Sequence, residues 1–258
     1  MDKRACLQAP AERLARQFQK EREVLRYLRE ELFSTSELLG ALLGLQSRQA
    51  IWKTLTRLEG RELVKRHTLE ALGGRVVMWG ITCHGQASAF DPSRETVCRS
   101  YFEPSRLSEV TIRHALDVQR LHLRAEAAGW TEWRNGDRLG AVKNGNRPDA
   151  IVIDSEGKIT AIECERTFKT LKRYEVILSN YLISMKRNDF HRVIWVSPTS
   201  EQACRLRSMV TGITSVLVEG QRIKIDPQRH HAALSFDDYA SFAKIHAKAD
   251  PQKTLNWL

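Results

Sequence analysis

The chain has 258 residues, of which 42% are hydrophobic, and its 41 Lys and Arg exceed its 31 Asp and Glu to give a formal charge of +10. This apolar fraction excludes a wholly disordered chain, and the length suits one large domain or two ordinary ones. The positive charge favours a polyanionic partner, nucleic acid before an anionic membrane surface.

The sequence also argues against membrane insertion and secretion. No stretch approaches the ~20 apolar residues of a membrane span, and the first residues lack the apolar segment of a secretory signal. The five cysteines are scattered and form no CxxC pair, which argues against a disulfide framework or structural zinc. We therefore expect a cytoplasmic protein with reduced thiols.

The first third of the chain predicts a helical module followed by a hairpin. Three helical patterns and two β-like runs follow one another, over residues 11–29, 37–43, 47–59, 63–69 and 75–81. Leu72-Gly73-Gly74 is the predicted turn of the hairpin. This order predicts a winged-helix domain over residues 21–90, preceded by an N-terminal extension over 1–20.

Basic side chains concentrate in this predicted domain. Between Arg48 and Arg75 there are seven Lys and Arg but only three Glu, and the second helix of such a module enters the major groove. Arg and Gln can read base edges in a bidentate manner. The alternative is that these charges simply solvate a helical hairpin. The residues predicted to contact DNA here are Arg48, Gln49, Lys53, Arg57 and Arg75.

The region 87–105, with Pro92 and Pro104, is the predicted domain boundary. Beyond it, helices and strands alternate over residues 107–128, 129–133, 150–154, 159–165, 167–185, 192–197, 201–209, 215–218 and 222–225. This order predicts an α/β sandwich over residues 105–230, and residues 231–258 are left as an unassigned C-terminal tail.

Three acids mark the candidate chemistry of the second domain. Asp149 opens one predicted strand, and Glu163 and Glu165 share a face of the next because side chains two apart in a strand point the same way. The hairpin turn 155–157 returns the chain so that all three carboxylates approach one another. Hard Mg²⁺ or Mn²⁺ prefers such oxygen ligands, whereas a solvent-facing edge with alternating Glu is the alternative.

Basic and acidic residues near this cluster are further candidates. On the helix after the acids, Lys172 is a candidate for orienting water or stabilising a phosphate. Glu126 lies one turn from His122 on the preceding helix and is a catalytic candidate, with an ordinary surface pair as the alternative. The residues predicted to contact DNA in this domain are Arg147, Arg166 and Lys169.

The segments Arg147-Pro148-Asp149-Ala150 and Ile162-Glu163-Cys164-Glu165-Arg166-Thr167 resemble the PD-(D/E)xK nuclease superfamily. Glu165 occupies the position where that superfamily usually has Lys. The resemblance implies a restriction-endonuclease-like fold, and Lys172 is the candidate to replace the missing lysine.

A closer resemblance is to the replication–relaxation family and its plasmid branch, the MOBC-class relaxases. It rests on the winged helix, the element His114-Ala115-Leu116, the Arg-Pro-Asp-Ala segment, and the acid-x-acid-Arg-Thr strand before a helix with Lys172 and Tyr174. It implies metal-dependent, site- and strand-specific nicking of double-stranded DNA at a plasmid transfer origin. The implied partners are duplex and nicked DNA, an accessory mobilisation protein and a coupling protein.

Two other functions compete with this one. The first is a non-catalytic replication or transcription regulator with a decayed nuclease fold, and the second is an endonuclease of restriction or transposition that cuts both strands. For the nucleophile, we expect water activated at a metal rather than Tyr174 or Tyr181, because the rise of a helix places Tyr174 at least a turn from Glu165.

Overall fold

A computed structural model of the chain describes residues 10–71, 74–93, 100–139, 147–218 and 220–243. The architecture is mixed α/β, as the sequence predicts, and these residues form three sheets. The chain divides into two compact units, Met1–Gln119 and Arg120–Leu258. Across the described residues, no helix is both long and apolar enough to cross a membrane.

The first unit combines helices with a short strand and a β-hairpin. Its elements are α1 (Pro10–Glu31), β1 (Phe33–Thr35), α2 (Ser36–Leu42), α3 (Arg48–Gly60), β2 (Val64–Ala71), β3 (Gly74–Ile81) and α4 (Cys83–Ser88). Thr35 caps α2, because its hydroxyl accepts a hydrogen bond from the Leu38 N–H at 3.3 Å. Gly44 takes a φ of 61° between α2 and α3, a conformation that glycine adopts without steric cost. The predicted hairpin turn at residues 72–73 lies outside the described residues.

Strand β1 was not predicted, and it completes a three-stranded antiparallel sheet of order β1-β3-β2. Three residues are too few to show an alternating pattern in the sequence. The core beneath this sheet includes the fully buried side chains of Leu28, Leu38, Leu55 and Trp79. The sheet therefore joins the chain before α2 to the hairpin after α3.

Helix α1 begins within one residue of its predicted start at residue 11, but it overlaps the predicted N-terminal extension. It runs without a break from Pro10, so residues 10–20, which we assigned to an extension, form its first half. Leu14 and Phe18 are half exposed, whereas Val24 and Leu28 are fully buried. The predicted apolar stripe is therefore buried only in the second half of the helix.

Part of the predicted domain boundary, residues 87–105, packs within the first unit. The Phe102 N–H donates to the Ile81 carbonyl at 3.0 Å, and the Phe102 ring lies 4.9 Å from that of Phe33. A Cβ at Gly80 would come within 2.0 Å of the Phe102 ring, so this contact requires glycine. The first unit therefore extends past residue 90.

The second unit is built on a mixed five-stranded sheet of order β10-β7-β6-β5-β4. From α5, which spans the division, its elements are α5 (Glu109–Ala127), β4 (Thr131–Asn135), β5 (Ala150–Ile153), β6 (Ile159–Cys164), α6 (Leu171–Lys186), β7 (Arg192–Ser197), α7 (Ser200–Thr211), β8 (Ser215–Val218), β9 (Gln221–Lys224), α8 (Pro227–His230) and β10 (Leu234–Asp238). Strands β6, β7 and β10 are parallel, while β4 and β5 pair antiparallel. The core includes Tyr174, Leu178, Trp195, Leu206 and Val216.

Two elements of this unit depart from the predictions. Residues 234–238, left in the unassigned tail, form the edge strand β10 beside β7, with Leu234 and Phe236 buried. Helix α6 begins at Leu171 rather than at residue 167, because Thr170 caps it by accepting from the Arg173 N–H at 3.3 Å. Residues 165–170 consequently form a loop between the acids and α6.

Candidate functional site

Asp149 is fixed immediately before β5 by hydrogen bonds on several sides. Its N–H donates to the Ile162 carbonyl at 3.0 Å, and its carbonyl accepts from the Gly136 N–H at 2.7 Å. Its Oδ2 accepts from the Cys164 N–H at 2.7 Å. A Cβ at Gly136 would lie 2.0 Å from the Pro148 carbonyl oxygen, so the backbone beside Asp149 can approach β4 only because residue 136 is glycine.

Glu163 and Glu165 bring two more carboxyl groups to the same place. They are buried, with exposures of 9% and 4%. Burial raises the pKa of Glu163 well above its ordinary value of 4.5, and the charges of Asp149 and Glu165 raise it further. Burial also raises the pKa of Glu165, although Lys169 opposes this rise. The three acids grouped by the sequence are therefore close enough to repel one another.

Lys169 is the cation that the loop brings to these acids. Its ammonium forms an ion pair with the buried Glu165 carboxylate, and its charge also lowers the pKa of Glu163. Its Nζ lies 5.9 Å from the centre of the Tyr174 ring. The amine at the acids is thus Lys169, which we had predicted only as a DNA contact, while Lys172 is exposed on α6.

Tyr174 lies much closer to the acids than the sequence suggested. Its hydroxyl accepts a hydrogen bond from the Lys169 backbone N–H at 3.1 Å and lies beside Glu165. The expected separation of a helical turn is wrong, because the loop 165–170 folds back before α6 begins. Burial raises the pKa of Tyr174 to about 12, with a further contribution from the charge of Glu165.

The turn between β5 and β6 is fixed by a second set of polar contacts. Asp154 Oδ1 accepts from the N–H groups of Glu156 and Lys158 at 2.9 and 3.1 Å, and its Oδ2 accepts from the Thr160 hydroxyl at 2.6 Å. The Arg192 Nε donates to the same Oδ2 at 2.7 Å. This network ties together the two strands that carry the acids.

The acidic side chains at this site provide part of the ligand set that a divalent cation needs. Within the described ranges, no three His, Cys, Asp or Glu side chains form a ready ligand set, and Glu165 is already paired with Lys169. Asp149 and Glu163 are neighbouring acids, and two carboxylates match the one or two that Mg²⁺ takes alongside water and substrate phosphate. A cation there would also offset the repulsion that raises the pKa of Glu163.

The other predicted residues of the second unit are Glu126, Arg147 and Arg166. Glu126 is half exposed, and its described partner is His122, whose Nε2 lies 3.3 Å from its carboxylate. The ring of His122 stacks on Trp133 with centroids 4.9 Å apart. Arg147 is exposed and Arg166 is half buried.

The first unit presents most of its predicted DNA-contacting residues to solvent. The exposed ones are Arg48, Gln49, Lys53 and Arg75. Arg57 differs, because its Nε donates to the buried Glu21 at 2.9 Å, and Arg61 donates to the other oxygen of Glu21 at 2.9 Å. Arg57 thus pairs with α1 while its side chain stays 39% exposed, and its contact with DNA stays a prediction.

The family model described as Replication-relaxation matches residues 25–190, which is more than half of the chain. The chain belongs to the replication–relaxation family. No curated protein and no solved structure shows significant similarity to this family member. The match includes β5, β6 and α6, and therefore all three acids and Lys169 of this replication–relaxation protein.

Sequence reasoning overlooked three features of this family member's site. Gly136 and Tyr174 were not recognised as neighbours of Asp149 and Glu165. Tyr239, left in the tail, places its hydroxyl 3.4 Å from the Cys164 Sγ. The Thr170 cap was the available signal for Tyr174, because it shortens α6 and leaves a loop. Neither other contact has a local signal, since each depends on strand pairing between distant residues.

Proposed function

We propose that this protein is a metal-dependent DNA nickase of the relaxase type that acts at a plasmid transfer origin. The observation that carries this proposal is the group formed by the buried carboxyl groups of Glu163 and Glu165, the half-buried Asp149 and the Lys169 ammonium beside them. Buried acids of like charge are costly unless a function retains them. Membership of a family named for replication and relaxation supports the same conclusion.

Asp149 and Glu163 would hold Mg²⁺ or Mn²⁺. When bound, such a cation supplies Lewis acidity and lowers the pKa of water at the scissile phosphate. Glu165 pairs with the Lys169 ammonium, and in this proposal that positive charge would stabilise the negative charge that develops on a phosphate oxygen of the substrate. The arrangement resembles a PD-(D/E)xK site in which the lysine comes from the following loop.

We assign duplex binding to the first unit as a winged-helix domain. The order α1-β1-α2-α3-β2-β3, with β1 paired to β3, supports this assignment. Helix α3 presents Arg48, Gln49 and Lys53 to solvent, which suits a helix that enters the major groove. Arg48 is the candidate for base recognition, so Arg48→Ala is expected to weaken discrimination between origin and unrelated DNA.

The decisive experiment measures conversion of supercoiled plasmid to open circles, with and without a candidate transfer origin. Wild type with Mg²⁺ or Mn²⁺ is expected to nick the origin plasmid, while Asp149→Asn and Glu163→Gln are expected to bind duplex but not nick. These variants keep the shape of each side chain and remove its charge. Nicking by both variants at the wild-type rate would reject the metal assignment.

The same experiment separates the two rival functions. A chain that binds the origin but never nicks it with either metal is a regulator, for which the pairing of Glu165 with Lys169 is the favouring observation. Linear product formed directly from supercoiled plasmid would instead indicate an endonuclease that cuts both strands. The partners that we propose beyond DNA are an accessory mobilisation protein and a coupling protein.

A further inference from the structure

The first unit carries an exposed aromatic–arginine pair outside the set of predicted DNA contacts. Trp52 on α3 is 44% exposed, and the guanidinium of Arg66 on β2 lies 5.5 Å from the centre of its ring. The indole of Trp52 also makes an edge-to-face contact with the buried Trp79 ring, with centroids 5.5 Å apart. The core therefore fixes Trp52, and Trp52 in turn offers a fixed surface to Arg66.

Neighbouring arginines show how this pair differs from an internal ion pair. Arg57 and Arg61 both donate to the buried carboxylate of Glu21. Among the residues that the structure describes, no carboxylate pairs with the Arg66 guanidinium, and Glu59 accepts from the Arg66 backbone N–H at 3.1 Å instead. Arg66 is exposed, and among the described residues no acid neutralises the charge of its guanidinium.

Stacking leaves the hydrogen-bonding capacity of the guanidinium intact. A cation–π contact uses the face of the group, whereas its N–H donors point outward in the plane. A phosphate accepts from two such donors at once. An arginine whose guanidinium already contacts a ring loses less conformational freedom when its N–H groups bind a phosphate. The entropic cost of binding the phosphate is therefore smaller.

We propose that Arg66 binds a backbone phosphate of duplex DNA and that Trp52 is the residue that positions it. The proposal rests on the proposed duplex binding by the first unit, and it adds a contact from β2 to those from α3. Because a phosphate carries no base identity, Arg66 contributes affinity for any sequence, whereas Arg48 and Gln49 contribute discrimination.

The test measures binding of the full chain to a short fluorescent duplex of fixed, arbitrary sequence at several KCl concentrations. Arg66→Ala is expected to weaken binding and to reduce the slope of log affinity against log salt by about 1. Arg66→Lys keeps the charge but loses the planar stack, so the slope is expected to stay while affinity falls. Trp52→Leu is expected to weaken binding in the wild-type background and to have no further effect in Arg66→Ala.

Arg26→Ala is the matched control, because Arg26 is an exposed arginine of the same unit on α1. Arg26→Ala is expected to leave the salt slope unchanged. An equal fall of the slope in Arg26→Ala and Arg66→Ala would overturn the proposal, because the effect would then come from the loss of any positive charge. If the wild-type chain binds the duplex and Arg66→Ala binds it with the same affinity and salt slope, this inference is overturned while the proposed function is not. Thermal unfolding identifies any variant that fails to fold. If Arg66→Ala fails to fold, equal binding by Arg66→Lys and wild type would overturn the proposal.

If the wild-type chain binds no duplex at all, the assignment of duplex binding to the first unit fails, and this inference fails with it. Full additivity of Trp52→Leu and Arg66→Ala in binding would reject the positioning role of Trp52. Coupling of the two substitutions in thermal unfolding but not in binding would show that the pair only stabilises the fold.

Discussion

The backbone N–H of Cys164 donates to Oδ2 of Asp149 at 2.7 Å, so the aspartate is anchored to the strand that carries the other two acids. Cys164 lies between Glu163 and Glu165, and its own side chain contacts Tyr239 instead. One carboxylate oxygen of Asp149 is thus held by β6 itself. The position of the Asp149 carboxylate is therefore set in part by the backbone of β6.

The loop lysine and the helix lysine are expected to behave differently. Lys169→Ala should reduce the nicking rate by about 10²-fold or more, since the cation beside the acids is lost from a site where one stabilising group has that effect. Lys172→Ala, which removes the same charge from an exposed position three residues later, should nick at nearly the wild-type rate. Initial rates on supercoiled plasmid make the comparison. Equal loss in both variants would refute the special role of Lys169.

Gly136→Ala is expected to impair nicking without abolishing DNA binding. The added Cβ would lie 2.0 Å from the Pro148 carbonyl oxygen, and the chain that positions Asp149 must then move. A displacement of this kind near reacting groups can cost about 10²-fold in rate. Gly60→Ala is the control, because a Cβ there meets nothing within 4 Å. Wild-type nicking by Gly136→Ala would show that the position of Asp149 is not critical.

Tyr174→Phe is expected to retain nicking and to release a product with a free 5′ phosphate. With a pKa of about 12, its hydroxyl remains protonated at neutral pH and is a poor nucleophile. Tyr181→Phe should also retain nicking, because Tyr181 is buried in the core. Denaturing gels after reaction with labelled DNA test for a covalent adduct. An adduct that disappears in one of these variants would identify that tyrosine as the nucleophile.

The Asp154 network is expected to make stability depend on pH in the acid range. Burial tends to raise the pKa of Asp154, but hydrogen bonds from Thr160, Arg192 and two backbone N–H groups outweigh it and lower the pKa below its ordinary 3.8. The resulting stabilisation is fully present above about pH 3.8 and is lost as the pH falls through the lower folded value.

Chemical unfolding of wild type and Asp154→Asn at a series of pH values measures this contribution. The variant is expected to lose about 1.5–3 kcal/mol at neutral pH, the range for hydrogen bonds to a charged group, and the difference between the two proteins should shrink below pH 3.8. A difference that is independent of pH would mean that the ionised carboxylate is not the source of the stability.

The sequence was most informative where a pattern is local. The strands 192–197 and 215–218 were predicted with their observed bounds, and the pair Glu163 and Glu165 follows from the two-residue period of a strand. The α/β character of the chain follows from the order of these patterns. Local patterns thus predicted the elements and the approximate position of the acids.

The sequence was uninformative where the structure depends on pairing between distant segments. Strand β1 is too short to show a period, and β10 is recognisable only through its register with β7. Likewise, nothing local reveals that Glu21, 36 residues before Arg57, accepts a hydrogen bond from it. The partner of a charged side chain is a tertiary property.

The edge position of β10 bears on how the protein can be divided for study. The family match ends at residue 190, before β7 begins at Arg192, so a fragment cut there would lack both β7 and β10 and would leave β6 with an unpaired side. An unpaired strand that exposes apolar residues such as Ala161 and Ile162 can pair with strands of other molecules, which leads to aggregation. An expression fragment that keeps the acids in a folded sheet therefore has to continue through Asp238.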